Sequence, residues 1–100
     1  MPPEFLDVDP RTLRASASRS TGADPLKLAR QIARFGSSTA GMQPPWVWRC
    51  KDGELMIASG MTRATRVARL VRGQLIRVEV TEEYPHYDVS RLPTIGDLVP

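Results

Sequence analysis

Short apolar blocks near the two ends of the chain predict strands. The segment 4–9, EFLDVD, predicts a short first strand, which Pro10 ends. In LIRVEV, at 75–80, apolar and polar residues alternate, so we expect a strand with its three β-branched side chains buried. One predicted strand therefore lies near each end of a core that spans about residues 5–80.

A hairpin is predicted in the middle of the chain. In WVWRC, at 46–50, the two tryptophans and the cysteine fall on one strand face, which we expect to pack in the core. The alternative for the tryptophans is that they stack nucleic-acid bases. The Asp-Gly pair within 51–53 is typical of a tight turn, and ELMIA at 54–58 follows as the return strand.

Two helices are predicted between these strands. Asp24 followed by Pro25 is typical of a helix start, because aspartate caps free N–H groups and proline loses no hydrogen bond there. The first helix continues through LKLARQIARF and ends at Gly36. A second helix is predicted to begin within 59–62 and to end at Gly73. Its buried stripe is predicted to consist of Ala64, Val67, Ala68 and Val71.

The other segments lack a regular hydrophobic period. Residues 11–22 are rich in Ser and Arg and predict a mobile loop, and 81–100 predict an irregular tail with at most a short docked segment. The order βαββαβ predicts an α+β class, in which a small mixed β-sheet packs with two main helices. At 100 residues the chain has room for one core, so we expect a single domain over 1–100.

Composition narrows the class of protein. The only cysteine, Cys50, excludes an internal disulfide and a multi-cysteine metal site. The longest uncharged stretch, 35–48, is too short and too polar to cross a bilayer. The acidic start lacks the basic and then apolar pattern of a secretory signal. We therefore expect a cytoplasmic protein with no membrane partner.

Charge is unevenly distributed along the chain. Residues 11–77 contain thirteen bases and three acids, a net charge of +10, whereas 78–100 contain one base and five acids, a net charge of −4. Eleven of the thirteen bases are arginines, whose planar guanidinium suits phosphate. The partner this predicts is a nucleotide or nucleic acid. The alternative is a solvated surface that the acidic ends partly neutralise.

The junction between the return strand and the second helix is the main candidate for anion binding. Gly60 permits a tight or left-handed backbone, and a helix N-terminus offers unpaired N–H donors to an anion. Arg63 would add a charge-assisted contact, and we expect Arg66 to reach the same place. The hydroxyls of Ser59 and Thr62 either bind the anion or only cap the helix. The alternative is a plain glycine turn with a solvent-facing arginine.

Candidates outside this junction are weaker. Arg14 and Arg19 of the Ser/Arg loop either close over phosphates or belong to a simple connector. His86 has no second histidine or nearby thiol with which to complete a zinc site. Asp52 and Glu54 flank the hairpin turn, where a structural role is favoured over Mg²⁺ binding.

Three segments resemble the ParB/sulfiredoxin-like fold. The run DGELMIASGMTRATRVARLVRGQLIRVEV, at 52–80, resembles its second half, in which a strand leads into G-x-x-R, a helix, a glycine and a final strand. The segment 24–36 is similar to the helix before the glycine loop of that family. GMQPPWVW, at 41–48, is similar to its approach to the hairpin. The resemblance covers about residues 5–80 and lies in the order and spacing of short motifs.

The resemblance implies a nucleotide site at this turn. It implies that Gly60 and Arg63 bind phosphates and that Gly41 lies in a facing loop. Family members include CTP-binding partition proteins, presumed nucleases, and sulfiredoxins that use ATP to repair oxidised cysteine, so CTP or ATP with Mg²⁺ is the implied ligand. Met61 stands where sulfiredoxins have cysteine and partition proteins have glutamate. Neither cysteine repair nor metal-assisted triphosphate hydrolysis is therefore carried over.

The sequence leads to three functional hypotheses. The first is a module that binds nucleotide or nucleic-acid phosphates, with no cofactor required. The second is a ParB-like nuclease or nucleotidase, for which no catalytic or metal-binding residue is identified. The third is a protein-interaction domain of the antitoxin or immunity type, whose partner is another protein.

Overall fold

Four strands form one mixed sheet in the computed structural model, which describes residues 2–99. The strands are β1 (Glu4–Val8), β2 (Trp46–Arg49), β3 (Leu55–Ser59) and β4 (Ile76–Glu83). Their order in the sheet is β1-β4-β2-β3. β4 is antiparallel to β1 and parallel to β2, and β2 and β3 form an antiparallel hairpin. The predicted α+β class with a small mixed sheet is confirmed.

The first helix, α1 (Pro25–Phe35), has the predicted boundaries. Asp24 Oδ1 accepts hydrogen bonds from the backbone N–H groups of Leu26 and Lys27, at 2.8 and 3.3 Å. Because these bonds stabilise the charged carboxylate, they lower the pKa of Asp24. Gly36, with a φ of 56°, ends the helix as predicted.

The second helix, α2 (Met61–Leu70), packs its apolar stripe on the inner face of the sheet. Val47 of β2 and Val78 of β4 are fully buried beneath it. The helix ends at Leu70, earlier than predicted, because Val71 has a φ of −132° and a ψ of 81°, which are not helical. Gly73, with a φ of 86°, then turns the chain toward β4.

The segment 11–22 differs from the predicted mobile loop. Pro10–Thr12 forms a single 3-10 turn, and beyond it Leu13 and Ala15 are fully buried. Arg14 lies between them and makes backbone hydrogen bonds to two residues of β3, each at 2.8 Å. Burial of the two apolar side chains against the core fixes this stretch, despite its polar neighbours.

The C-terminal segment is more ordered than predicted. β4 extends to Glu83, and a short helix, α3 (Ile95–Leu98), follows an irregular stretch. A capping box, in which the side chains of Thr94 and Asp97 each accept from the backbone N–H of the other residue, stabilises the start of α3. These hydrogen bonds lower the pKa of Asp97. No helix within residues 2–99 combines the length and the apolar character that crossing a bilayer requires.

The outer face of the sheet is covered at one end and open at the other. At the covered end, Val89 packs with Trp48 and Cys50. At the open end, Phe5 and Trp46 are 44% and 52% exposed. The prediction that both tryptophans pack in the core is therefore wrong for Trp46. Because side chains alternate along a strand, burial of Val47 on the inner face directs both tryptophans outward, and the C-terminal segment covers only one of them.

Candidate functional site

A cleft of about 280 Å³ lies where β3 meets α2. Residues 57–63 form one wall, and Lys27 and Gln31 of α1 lie on another. The side chains of Arg19, Lys27 and Arg63 line it, and no carboxylate of residues 2–99 does. This cavity is referred to below as the basic cleft.

The turn at Gly60 brings a guanidinium over the start of α2. Gly60 has a φ of 91°, and it caps α2 without a side chain, so the N–H groups of 61–63 have no capping partner. A Cβ atom at this position would lie 2.8 Å from Nη2 of Arg63 and 2.9 Å from Cβ of Pro45. Only glycine therefore fits the turn with Arg63 in this position.

Arg63 has an unpaired guanidinium. Its Nε atom is buried without a hydrogen-bond partner, and the group makes no hydrogen bond or ion pair within residues 2–99. A buried donor without a partner costs about 1–3 kcal/mol, and a cation in the first turn of a helix is further disfavoured by the helix dipole. Oε1 of Gln31, on the cleft wall, is also buried without a partner. A bound anion would accept from Arg63 and offset the cost of its unpaired guanidinium, whereas Oε1 of Gln31 needs a donor.

Arg66 does not reach the basic cleft, which corrects the sequence prediction. Its side chain is 2% exposed, and Nη1 donates to the carbonyls of Gly36 and Ser38 at 2.7 and 2.8 Å. The guanidinium carbon lies 5.4 Å from the centre of the Phe35 ring. Residues three apart along a helix differ by about 60° in side-chain direction. Arg66 therefore points toward the end of α1, where it binds the carbonyls of the loop that follows α1.

Arg14 and Gly41 also lie outside the basic cleft. Arg14 Nε donates to Glu54 Oε2 at 3.1 Å and Nη1 to the carbonyl of Leu92 at 2.8 Å, and the ion pair raises the pKa of Arg14. The backbone bonds to β3 fix this direction, so Arg14 does not line the cleft that contains most of the other predicted residues. Gly41 lines a neighbouring cleft of about 150 Å³, whose lining shares Gln31 and Arg63 with the basic cleft.

The basic cleft brings together the other predicted site residues, which are Ser59, Gly60, Thr62, Arg63 and Arg19. The hydroxyls of Ser59 and Thr62 do not cap α2, because its N-cap has no side-chain hydrogen bond. Sequence reasoning missed Lys27 and Gln31. They are four residues apart on the polar side of α1, and only the packing of α1 beside α2 turns that side toward the cleft.

The other candidate residues have structural surroundings. Glu54 is paired with Arg14, and Asp52 occupies the hairpin turn with a φ of 62°. Within residues 2–99, no three His, Cys, Asp or Glu side chains form a group that could hold a metal ion. Cys50 is 2% exposed, and burial raises the pKa of its thiol. His86 is exposed.

Comparison with known proteins gives no match to a protein-family model, a curated protein or a solved structure. Function is therefore inferred from the geometry and charge of the basic cleft. Its main features are an uncapped helix start, an unpaired arginine and two further cations.

Proposed function

We propose that this protein is a binding module for the phosphates of a nucleotide or nucleic acid, and that the basic cleft is the binding site. The observation that carries the proposal is the guanidinium of Arg63. It lies over the Gly60 turn with Nε buried, and no group of residues 2–99 is bonded to it. An arginine in this setting lacks only an anionic acceptor.

The chemistry of the basic cleft suits a chain of phosphates. The guanidinium of Arg63 lies beside Gly60, next to the uncapped start of α2, so a phosphate with several oxygens would accept from both. Lys27 and Arg19 also line the cleft and add positive charge. Asp24, the nearby carboxylate, is held by backbone N–H groups of α1 and does not line the cleft. We therefore expect diphosphates and triphosphates to bind more tightly than monophosphates.

The resemblance to ParB/sulfiredoxin-like proteins supports the same location. In that family a G-x-x-R turn binds nucleotide phosphates, and the corresponding residues here are Gly60 and Arg63. Met61 is 8% exposed and packs in the core, so its side chain supplies neither the thiol of sulfiredoxins nor the carboxylate of partition proteins. Phosphate binding is thus the part of the family chemistry that these residues support.

Titration calorimetry with tripolyphosphate tests the proposal. We expect saturable binding to the wild-type chain and about 10- to 100-fold weaker binding after Arg63→Ala, because a bidentate charge-assisted contact is lost. The control is Arg14→Ala, since that guanidinium is paired with Glu54 outside the cleft. Absence of binding, or equal affinity of the wild type and Arg63→Ala, would refute the proposed site.

A further inference from the structure

A second cleft, of about 420 Å³, lies at the open end of the outer sheet face. Its lining includes two aromatic rings, those of Phe5 and Trp46, and the side chain of Glu79. Ser59 and Arg63 line both this aromatic cleft and the basic cleft. The two clefts are therefore neighbours that share one arginine.

The aromatic cleft is built on a row of residues that crosses three strands. Glu79 of β4 is the Cα partner of Phe5 on β1 and of Trp46 on β2. Partners in register present their side chains on the same sheet face. The carboxylate thus lies between two rings whose strands are about 10 Å apart, which is two strand spacings.

The two rings have large exposed faces. Phe5 is 44% and Trp46 is 52% exposed, and neither forms a ring pair within residues 2–99. Trp48, two residues along the same strand, instead packs edge to face on Tyr84, with the ring centres 5.0 Å apart. An exposed ring beside a phosphate site is the arrangement that stacks a nucleic-acid base, and one stacked base strengthens binding by roughly tenfold or more.

The unpaired carboxylate of Glu79 suits the hydrogen-bonding pattern of one base better than that of the others. Glu4, Asp7 and Glu83 of the sheet are each paired with an arginine, whereas Glu79 makes no side-chain hydrogen bond or ion pair within residues 2–99. An ionised carboxylate only accepts hydrogen bonds. The Watson–Crick edge of guanine offers two adjacent N–H donors. The other bases place an acceptor beside their donor, and a carboxylate repels it.

We propose that the aromatic cleft binds the guanine base of a guanosine nucleotide whose phosphates lie in the basic cleft. The inference rests on the proposed function, because it requires phosphates beside Arg63. Cations at one end and the carboxylate of Glu79 at the other give the ligand one orientation. A phosphate chain continuing past the base would meet the unpaired carboxylate of Glu79, which favours a free nucleotide over a strand of nucleic acid.

Calorimetry of the full chain at fixed ionic strength tests the inference, with tripolyphosphate, GTP and ATP as ligands. For the wild type we expect GTP to bind about tenfold more tightly than tripolyphosphate. Trp46→Ala should reduce the affinity for GTP to that for tripolyphosphate and leave the latter unchanged. Glu79→Gln should remove the preference for GTP over ATP. Tyr87→Ala is the matched control, since Tyr87 is 41% exposed and does not line the aromatic cleft.

Each result separates the base site from the phosphate site. If tripolyphosphate binds as tightly as GTP, or if Trp46→Ala weakens both ligands equally, the base site is refuted and the phosphate site stands. Equal affinity for GTP and ATP would refute the role of Glu79 in choosing guanine. A guanine-containing oligonucleotide without a triphosphate that binds more tightly than GTP would overturn the assignment to a free nucleotide. If tripolyphosphate does not bind the wild type, the proposed function itself fails.

Discussion

The arginines of the basic cleft and the arginine at the end of β2 differ in whether they are paired with carboxylates. At the end of β2, Arg49 donates to both carboxylate oxygens of Glu4, at 2.6 and 2.9 Å, and to Glu83 at 2.7 Å. In the basic cleft, neither Arg63 nor Arg19 forms an ion pair with a carboxylate of residues 2–99. The carboxylates that accept from Arg49 belong to the fold itself. Arg63 has no such acceptor, so we expect a ligand to provide it.

The same contrast occurs within α2. Arg63 and Arg66 are three residues apart, and the Nε atom of each is buried without a partner. Arg66 nevertheless donates through Nη1 to two backbone carbonyls, whereas the guanidinium of Arg63 lies over a glycine turn and makes no hydrogen bond within residues 2–99. Arg66 should therefore act on the stability of the protein and Arg63 on its binding. The predictions below separate these two roles.

The largest expected effect is on stability, after Arg66→Met. Loss of the guanidinium leaves the carbonyls of Gly36 and Ser38 without their donor, which should lower the free energy of unfolding by about 2–5 kcal/mol. Urea denaturation measures the change. Arg63→Met is the matched control and should not lower the free energy of unfolding, because it removes a buried donor that has no partner. Similar losses for both variants would remove the distinction between the two arginines.

A smaller effect on stability is expected for Gly60→Ala. The added Cβ atom meets Arg63 and Pro45 at less than 3.0 Å, and the φ of 91° strains any other residue, so the variant should lose about 1–3 kcal/mol. Its affinity for tripolyphosphate should fall as well, because the guanidinium is displaced. Gly41→Ala is the control, since that position has a φ of 69° but open space around it. Unchanged affinity in Gly60→Ala would show that the turn does not position Arg63.

Weaker effects on binding are expected from the other cations of the basic cleft. Lys27→Ala and Arg19→Ala should each reduce the affinity for tripolyphosphate about two- to fivefold, because each removes one partly solvated charge. Arg30→Ala, a change on α1 outside the lining of the cleft, should have a smaller effect. If all three variants bind alike, the attraction comes from overall charge and not from the cleft.

The smallest expected effect is a loss of stability at acid pH. Folding lowers the pKa values of Asp24 and Asp97 from 3.8, so the folded state holds fewer protons at these sites than the unfolded state. Their contribution is fully present above pH 3.8 and is lost as the pH falls through the lower folded values. Thermal unfolding between pH 7 and pH 2 should show this loss, and Asp24→Asn should reduce it. Asp52→Asn, which removes no helix cap, should not.

Local signals explain which elements could be predicted from the sequence. Asp24, Pro25 and Gly36 set the ends of α1 through the chemistry of a few adjacent residues. The hairpin turn and the positions of the strands could be predicted for the same reason. The order of Leu13 and Ala15 depends instead on burial against residues far along the chain, and no local pattern reports it.

The same division holds for the candidate site. Gly60 and Arg63 were predictable because a strand, a glycine and a helix start are contiguous in the chain. The directions of Arg14 and Arg66 were not, because each is set by partners 28 to 78 residues away. Lys27 was missed for a related reason, since its place in the cleft depends on how α1 packs beside α2.

The most direct test of the central claim is a two-dimensional NMR titration of the ¹⁵N-labelled chain with tripolyphosphate. The account predicts saturable shifts of the backbone N–H signals of 61–63 and of the Nε–H signal of Arg63, with no such shift for Arg49 Nε–H, which is bonded to Glu83. Signals of 61–63 that do not move, or shifts that are equal at Arg63 and Arg49, would contradict it.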